Sequence, residues 1–194
     1  MMIDTSTHGV SKGFTATLES VADWTSLIAA FLAAACIVAL TGLILAEIFA
    51  ALAARFIPSL PSGIGIGWEY SAYLMGGAFL LGSGMTLRAG QQIRVELLLR
   101  AKNGRYARLM EILSALLGAA ITVYLAVTLV QFTYRTFLSG EVSQDSFTPL
   151  WIPQVALSVG AVVLALQMVV RAILSLANSP LERPELGAAT QIEG

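Results

Sequence analysis

Four stretches of this 194-residue chain contain no Asp, Glu, Lys or Arg: 24–46, 70–87, 112–134 and 146–170. They run to 23, 18, 23 and 25 residues, each at or above the roughly 18 that mark a transmembrane helix candidate. A helix rises about 1.5 Å per residue, so each stretch reaches across a hydrocarbon core of about 30 Å. Charged residues make up only 12% of the composition and the mean hydropathy is +0.79, against roughly 25% charge in soluble domains. The fold class that follows is an all-α integral membrane protein with four transmembrane helices. A transmembrane β-barrel would alternate polar and apolar residues, whereas LIAAFLAAACIVALTGLILA is apolar on every side. A cleaved signal peptide would need a cationic start, a short apolar core and a small-residue cleavage site. Here the leading MMIDTSTHGVSKGFTATLESVAD is mixed in charge and the run after it is too long, so the first span is read as retained.

The expected layout is a single membrane domain: a tail over 1–25, spans over 27–54, 68–88, 111–135 and 150–173, a basic connector over 89–110, and a disordered C-terminal tail over 174–194. Six of the 11 Lys and Arg residues crowd into LRAGQQIRVELLLRAKNGRYARL, residues 87–109. With four spans, the N-tail, this connector and the C-tail share one side of the membrane. That side holds Lys12, Arg88, Arg94, Arg100, Lys102, Arg105, Arg108, Arg171 and Arg183, nine cations, against Arg55 and Arg135 on the other. Short loops rich in Lys and Arg stay cytoplasmic, which predicts both termini inside and the loops 55–67 and 135–149 outside. Anionic lipid headgroups are the natural partners of cations placed against a membrane; no nucleic-acid partner is expected.

In the tail, Val10, Phe14, Leu18, Val21 and Thr25 recur at helical spacing, with Lys12, Thr15, Glu19 and Asp23 between them. That pattern suits a short amphipathic helix lying flat at the cytoplasmic interface, the alternative being a disordered tail. In the connector, Glu96 and Arg100 have i,i+4 spacing and Asn103-Gly104 breaks the segment before helix three. Ile93, Val95, Leu97, Leu98 and Leu99 scatter around a helical wheel, as a short connector helix buried by both lipid and a partner would require.

Catalytic chemistry has little to work with. Cys36 is the only Cys and His8 the only His, so no disulfide, metal site or His-based constellation is expected, and no cofactor. An intramembrane carboxylate is a functional candidate by default, which singles out Glu47 and Glu69. Residues 27–54 contain 13 Leu, Ile, Val or Phe, worth roughly −0.3 to −0.6 kcal/mol each against about +3 for one central acid, so insertion tolerates Glu47. Glu47, Arg55, Glu69 and Arg135 fall at the outer ends of their helices, where they are expected to pair with one another or with a partner subunit. Proton or cation coupling through Glu47 or Glu69, and simple snorkelling, are the alternatives.

On helix two, Ala72, Gly76 and Gly84 share one i+4 row and Ala78 with Gly82 another; Ser114 and Gly118 repeat the theme on helix three. Small residues at this spacing let another helix approach closely in lipid. Gln131, Gln154 and Gln167 are candidate interhelical hydrogen-bonders. The outer loop FIPSLPSGIGIGW is Pro- and Gly-rich, as a tight connection needs, and its GIGIG lacks the spacing and preceding strand of a dinucleotide fingerprint. Pro149 and Pro153 suit the mouth of helix four, and Trp68 and Trp151 fall at one interface, as in an aromatic belt.

Three motifs, in order and at helix boundaries, resemble one family. Trp68-Glu69 with Tyr73 looks like a W-x(0–2)-E…Y opening of helix two. Arg88-Ala89-Gly90 followed by Ile93-Arg94-Val95-Glu96-Leu97 is similar to R-x-G-x-H-I-x-V-D/E-L. Thr148-Pro149 with Ile152-Pro153 resembles T-P…I/L-P at the start of helix four. The family is the small, DctQ-type membrane subunit of tripartite ATP-independent periplasmic (TRAP) transporters. The sequence departs from it at Gln92, where the family often has His, so a hydrogen-bonding role carries over and an imidazole charge does not. The resemblance implies a division of labour in the bacterial inner membrane. A periplasmic binding protein delivers an organic acid (a C4-dicarboxylate, sialic acid or similar carboxylate), and a large subunit of about a dozen spans imports it with sodium. The small subunit, not an enzyme, scaffolds the large one. On this view Gly76, Gly84 and the polar residues Glu47, Arg55, Glu69, Tyr73, Arg88, Gln92, Arg94, Glu96, Arg100 and Arg135 are interface or structural residues. The competing reading is a stand-alone small transporter coupled through Glu47 or Glu69.

Overall fold

A computed structural model describes residues 6–57, 59–89 and 104–177. They form four helices: α1 (Ser6–Phe56), α2 (Gly67–Arg88), α3 (Gly104–Ser139) and α4 (Trp151–Ala177). Among the described residues there is no strand, only an isolated bridge between Val142 and Pro149. By length and composition α1, α3 and α4 can cross a membrane. With 22 residues, α2 has a comparable reach of about 33 Å, but five glycines and two serines dilute its apolar character.

The tail differs from expectation. Instead of a separate interfacial helix followed by a span, α1 runs unbroken for 51 residues, or about 76 Å. The reason lies at Thr25 and Ser26, where a break could have formed. A helix-starting Ser or Thr accepts a hydrogen bond from a backbone N–H ahead of it. Here Thr25 Oγ1 donates back to the carbonyl of Val21 at 2.9 Å and Ser26 Oγ to that of Asp23 at 2.9 Å, so the helix continues through both. The connector residues 90–103 and the C-terminal residues 178–194 lie outside the described residues, and the expected connector helix and disordered tail with them. Gly104, at the expected break, is where α3 begins.

Successive helices run in opposite directions. α1 packs on α2, α3 packs on α4, and the two hairpins join where α2 and α4 lie side by side, with α1 also touching α4. α3 touches α4 alone among these helices. The contacting side chains are small. Ala29, Ala33 and Leu81 cluster between α1 and α2 beside Cys36 and Val163. Ala126, Ala161 and Ala165 cluster between α3 and α4, as do Ala115, Ala119 and Ala172. Without a hydrophobic drive between helices in lipid, association depends on close van der Waals contact and interhelical hydrogen bonds, and alanines allow both. Gly84 faces Val163 and Gln167, Gly76 faces Leu157, Gly82 faces Ala33 and Gly118 faces Met168. The glycine rows on helices two and three thus serve neighbours within this chain.

The closest approach is at Gly160 on α4. A Cβ there would stand 2.8 Å from Leu80 Cβ and 2.9 Å from both the Leu80 carbonyl carbon and the Leu81 nitrogen. Hydroxyls and amides reinforce the seams. Thr133 and Ser158 share a hydrogen bond of 2.8 Å between α3 and α4. Fully buried Gln167 donates from Nε2 to the carbonyl of Ala22 at 2.7 Å.

Candidate partner-binding site at the loop end of the bundle

At one end of the bundle α3 terminates at Gly140, whose φ of 65° is the left-handed conformation that glycine supplies past a helix C-terminus. The chain then folds back on itself. Ser143 N–H donates to the Thr148 carbonyl at 2.9 Å, and Leu150 N–H to that of Glu141 at 3.1 Å. Phe147, at the tip, has a φ of 54° and an exposed ring. The Ser146 hydroxyl donates to Thr148 Oγ1 at 2.8 Å, and Thr148 Oγ1 shares a 2.7 Å hydrogen bond with the hydroxyl of Tyr70. This closed loop is thereby tied to the first turn of α2, and the outer two motif groups of the sequence meet in space.

Beneath the loop lies Glu69, only 5% exposed. Tyr73, one turn on, donates its hydroxyl to Glu69 Oε1. The hydroxyls of Ser143 and Ser146 face the carboxylate, yet Oε2 is buried with no hydrogen bond of standard geometry. An open groove runs past it, walled by Trp68 and Tyr73 and bordered by Glu141, Gln144 and Asp145. Trp151 starts α4 at the same end and packs edge-on against Phe137, with ring centroids 5.5 Å apart.

The expected pairing among Glu47, Arg55, Glu69 and Arg135 does not form within the chain; among the described residues none of the four has an ion pair with another. The cause is that the acids find other donors. Glu47 Oε1 accepts from the backbone N–H of Ile64 at 3.2 Å, and a Cβ at Gly67 would overlap its carboxylate, with one at Gly63 close by. The GIGIG loop is therefore a seat for Glu47. Arg55 is exposed in the last turn of α1, where a cation complements the helix dipole, and Arg135 is exposed on α3.

The opposite end holds the pair that sequence reasoning missed. Arg88 is 4% exposed; its Nε donates to Asp23 Oδ1 at 2.9 Å and its Nη2 to the same oxygen, while Nη2 also reaches the Glu19 carbonyl at 3.4 Å. Nearby, Arg171 and Glu111 approach to 3.9 Å. Asp23 sits 65 residues before Arg88, and its only signal was that it ends the charged tail where Arg88 ends the second charge-free stretch. Of the three glutamines, Gln167 bridges helices, Gln154 keeps a buried Oε1 with no hydrogen bond, and Gln131 is exposed. Gln92, Arg94, Glu96 and Arg100 lie outside the described residues. Among the described residues no three His, Cys, Asp or Glu side chains converge as a metal site would need.

The family model for tripartite ATP-independent periplasmic transporters, DctQ component, covers residues 40–178, over two thirds of the chain. It spans all three motif groups that carried the resemblance. No curated protein and no solved structure matches at a significant level.

Proposed function

The chain belongs to the DctQ family, the small membrane component of TRAP transporters, and from that premise we propose that it is the non-catalytic scaffold of a sodium-coupled importer of an organic acid. In this reading it sits in the bacterial inner membrane with four spans, α2 included, and both termini inside. It holds a large transport subunit, which receives a carboxylate such as a C4-dicarboxylate or sialic acid from a periplasmic binding protein. The bundle's ends support four spans. The charges that flank the apolar stretches gather at two levels, with Asp23, Arg88, Glu111 and Arg171 at one end and Glu47, Glu69, Glu141 and Asp145 at the other. The glycines that dilute α2 are spent on its contacts with α1 and α4.

The observation that carries the scaffold reading is the uneven use of apolar surface. α1 and α3 are strongly apolar yet the least covered of the three apolar spans. Phe31, Val38 and Phe49 on α1 and Leu117 and Tyr124 on α3 face outward, and an apolar groove follows α3 and α4 past Phe137, Val155 and Val159. Such faces suit lipid and a partner's helices. The small residues that mark helix contacts are already taken up inside the chain.

The test is to affinity-tag the chain in its native membrane and to reconstitute what it retains. A much larger integral protein should come down with it, and uptake in vesicles should need both. Glu47→Gln and Glu69→Gln should leave the number of sodium ions per substrate unchanged. Transport by this chain alone, or loss of sodium dependence in either variant while the subunits still co-purify, refutes the scaffold reading in favour of a stand-alone coupled transporter.

A further inference from the structure

Glu47 stands inside the apolar run of α1, yet its partners belong to the loop that follows. Its Oε1 accepts from the Ile64 N–H at 3.2 Å, and a Cβ at Gly67 would overlap its carboxylate. α2 therefore starts level with Glu47, and α1 overruns that start by roughly nine residues, or about 13 Å. At the far end of α2, Arg88 meets Asp23. The 22 residues of α2 reach about 33 Å, close to a hydrocarbon core of about 30 Å, so the outer edge of the core falls at Glu47 and Gly67. A bilayer with its headgroups measures about 40–45 Å, which leaves a headgroup layer of roughly 5–8 Å on each side. The α1 overrun crosses that layer, and the loop descends back through it to Gly67.

What the chain shows to this layer is apolar. Residues 56–68 hold no Asp, Glu, Lys or Arg, and Phe56, Ile57, Leu60, Ile64, Ile66 and Trp68 are all exposed. A loop in water is normally polar, and a contiguous exposed apolar patch marks contact with protein or membrane. Depth favours membrane, and so does continuity. Phe31, Val38, Phe49 and Phe56 recur at seven- and eleven-residue intervals on one outward line of α1, so the face that meets acyl chains runs past Glu47 to the loop without a charge. Irregular backbone is tolerated near hydrocarbon only where its polar groups are satisfied. Here the N–H groups of Ile57, Leu60 and Gly67 are bonded to carbonyls, and that of Ile64 to Glu47.

We propose that the loop between α1 and α2 is inserted in lipid: Ile64 and Ile66 enter the outer leaflet where headgroups meet acyl chains, and Glu47 is the positioning residue that holds them at that depth. An intramembrane carboxylate is thereby used to pin a loop to the bilayer surface instead of to carry a cation. This placement rests on the four-span reading, in which α2 crosses the membrane.

Depth is measured on the full chain, with the subunits it retains on purification, in nanodiscs of phosphatidylethanolamine and phosphatidylglycerol. Cys36→Ala removes the only cysteine, and a spin label is then carried in turn by Ile64→Cys, Ile66→Cys, Phe79→Cys or Gln144→Cys. Oxygen concentrates in lipid and a nickel chelate in water, so the ratio of their collision rates with the label reads depth. Phe79, 74% exposed on α2 and about 15 Å inward of Glu69, should favour oxygen most. Gln144, exposed on the 140–150 loop, should favour nickel. Labels at Ile64 and Ile66 should favour oxygen severalfold more than the label at Gln144. Glu47→Ala, or Gly67→Ala, whose methyl displaces the carboxylate, should bring them to the Gln144 ratio with Phe79 unmoved as the sign of an intact bundle. Glu47→Gln keeps an accepting oxygen and should leave them in lipid.

Labels at Ile64 and Ile66 as open to nickel as Gln144, or indifferent to Glu47→Ala, overturn the proposal. Shielding of both from oxygen and nickel alike also overturns it, since protein would then cover the loop. A Phe79 label in water sinks the four-span reading itself, whereas Phe79 in lipid with Ile64 and Ile66 in water sinks the inserted loop alone.

Discussion

The narrowest point in the bundle makes the sharpest test of the packing. Replacing Gly160 with Ala puts a methyl group 2.8–2.9 Å from three atoms of Leu80 and Leu81, two of them backbone. Carbon atoms in normal contact stand about 3.5–4.0 Å apart. Backbone cannot rotate aside, so α2 and α4 must separate by about 1 Å. Overpacking of this kind costs about 1–3 kcal/mol, while Ala regains up to about 1 kcal/mol over Gly in a helix. Gly42→Ala is the matched control: Gly42 is on an exposed face of α1 with nothing within 4 Å of its added Cβ, so it gains the helix term alone. The propensity term cancels in the comparison, and Gly160→Ala should be less stable than Gly42→Ala by about 1–3 kcal/mol. Unfolding of the purified chain by sodium dodecyl sulfate in mixed micelles, followed by circular dichroism, measures both. Equal stability of the two variants would refute the idea that α2–α4 contact is set by the missing side chain.

Three further outcomes are expected. Arg88→Met removes the buried guanidinium that donates to Asp23 and to the Glu19 carbonyl and should cost about 3 kcal/mol, read in the same unfolding assay. Thr133→Val removes one of two facing hydroxyls and should cost about 1 kcal/mol, with Thr133→Val/Ser158→Ala closer to the parent than the single change, as a double-mutant cycle would read. Phe147→Gly relieves a left-handed backbone that costs a non-glycine residue about 1 kcal/mol, and because the ring is exposed the purified chain should gain most of that; loss of stability would mean the ring packs against something.

Helices were legible because absence of charge is a one-dimensional signal: each charge-free stretch became one helix, and Asn103-Gly104 and Pro149 fell beside the helix boundaries. What the sequence hid is pairwise. Thr25 and Ser26 could have ended a tail helix or bonded backward within a longer one, and only the local geometry decides between those. Asp23 and Arg88 are joined by an antiparallel hairpin whose register no spacing rule supplies. Gly160 escaped attention because it is isolated among valines, with no partner glycine at i±4; its significance lies in what α2 places against it. The GIGIG loop lacks the spacing of nucleotide-binding loops, and its use as a seat for Glu47 requires knowing that α1 ends beside it. At the loop end, Trp68, Glu69, Tyr73 and Thr148 each stand in a legible motif, and the structure adds that the two motifs meet through the Tyr70–Thr148 hydrogen bond.

The arrangement of contacts bears on how the molecule is made. α1 with α2 and α3 with α4 are each antiparallel hairpins; among the described helices the contacts between those halves run from α1 and α2 to α4, and the Tyr70–Thr148 hydrogen bond adds a tie to the loop before α4. A ribosome can therefore deliver the first half to the bilayer as a finished unit while the second is still being translated. Among the described helices α3 packs on α4 alone, so α4, made after the other three, is the one that joins them all, and a truncation before residue 151 should leave α3 without its packing partner.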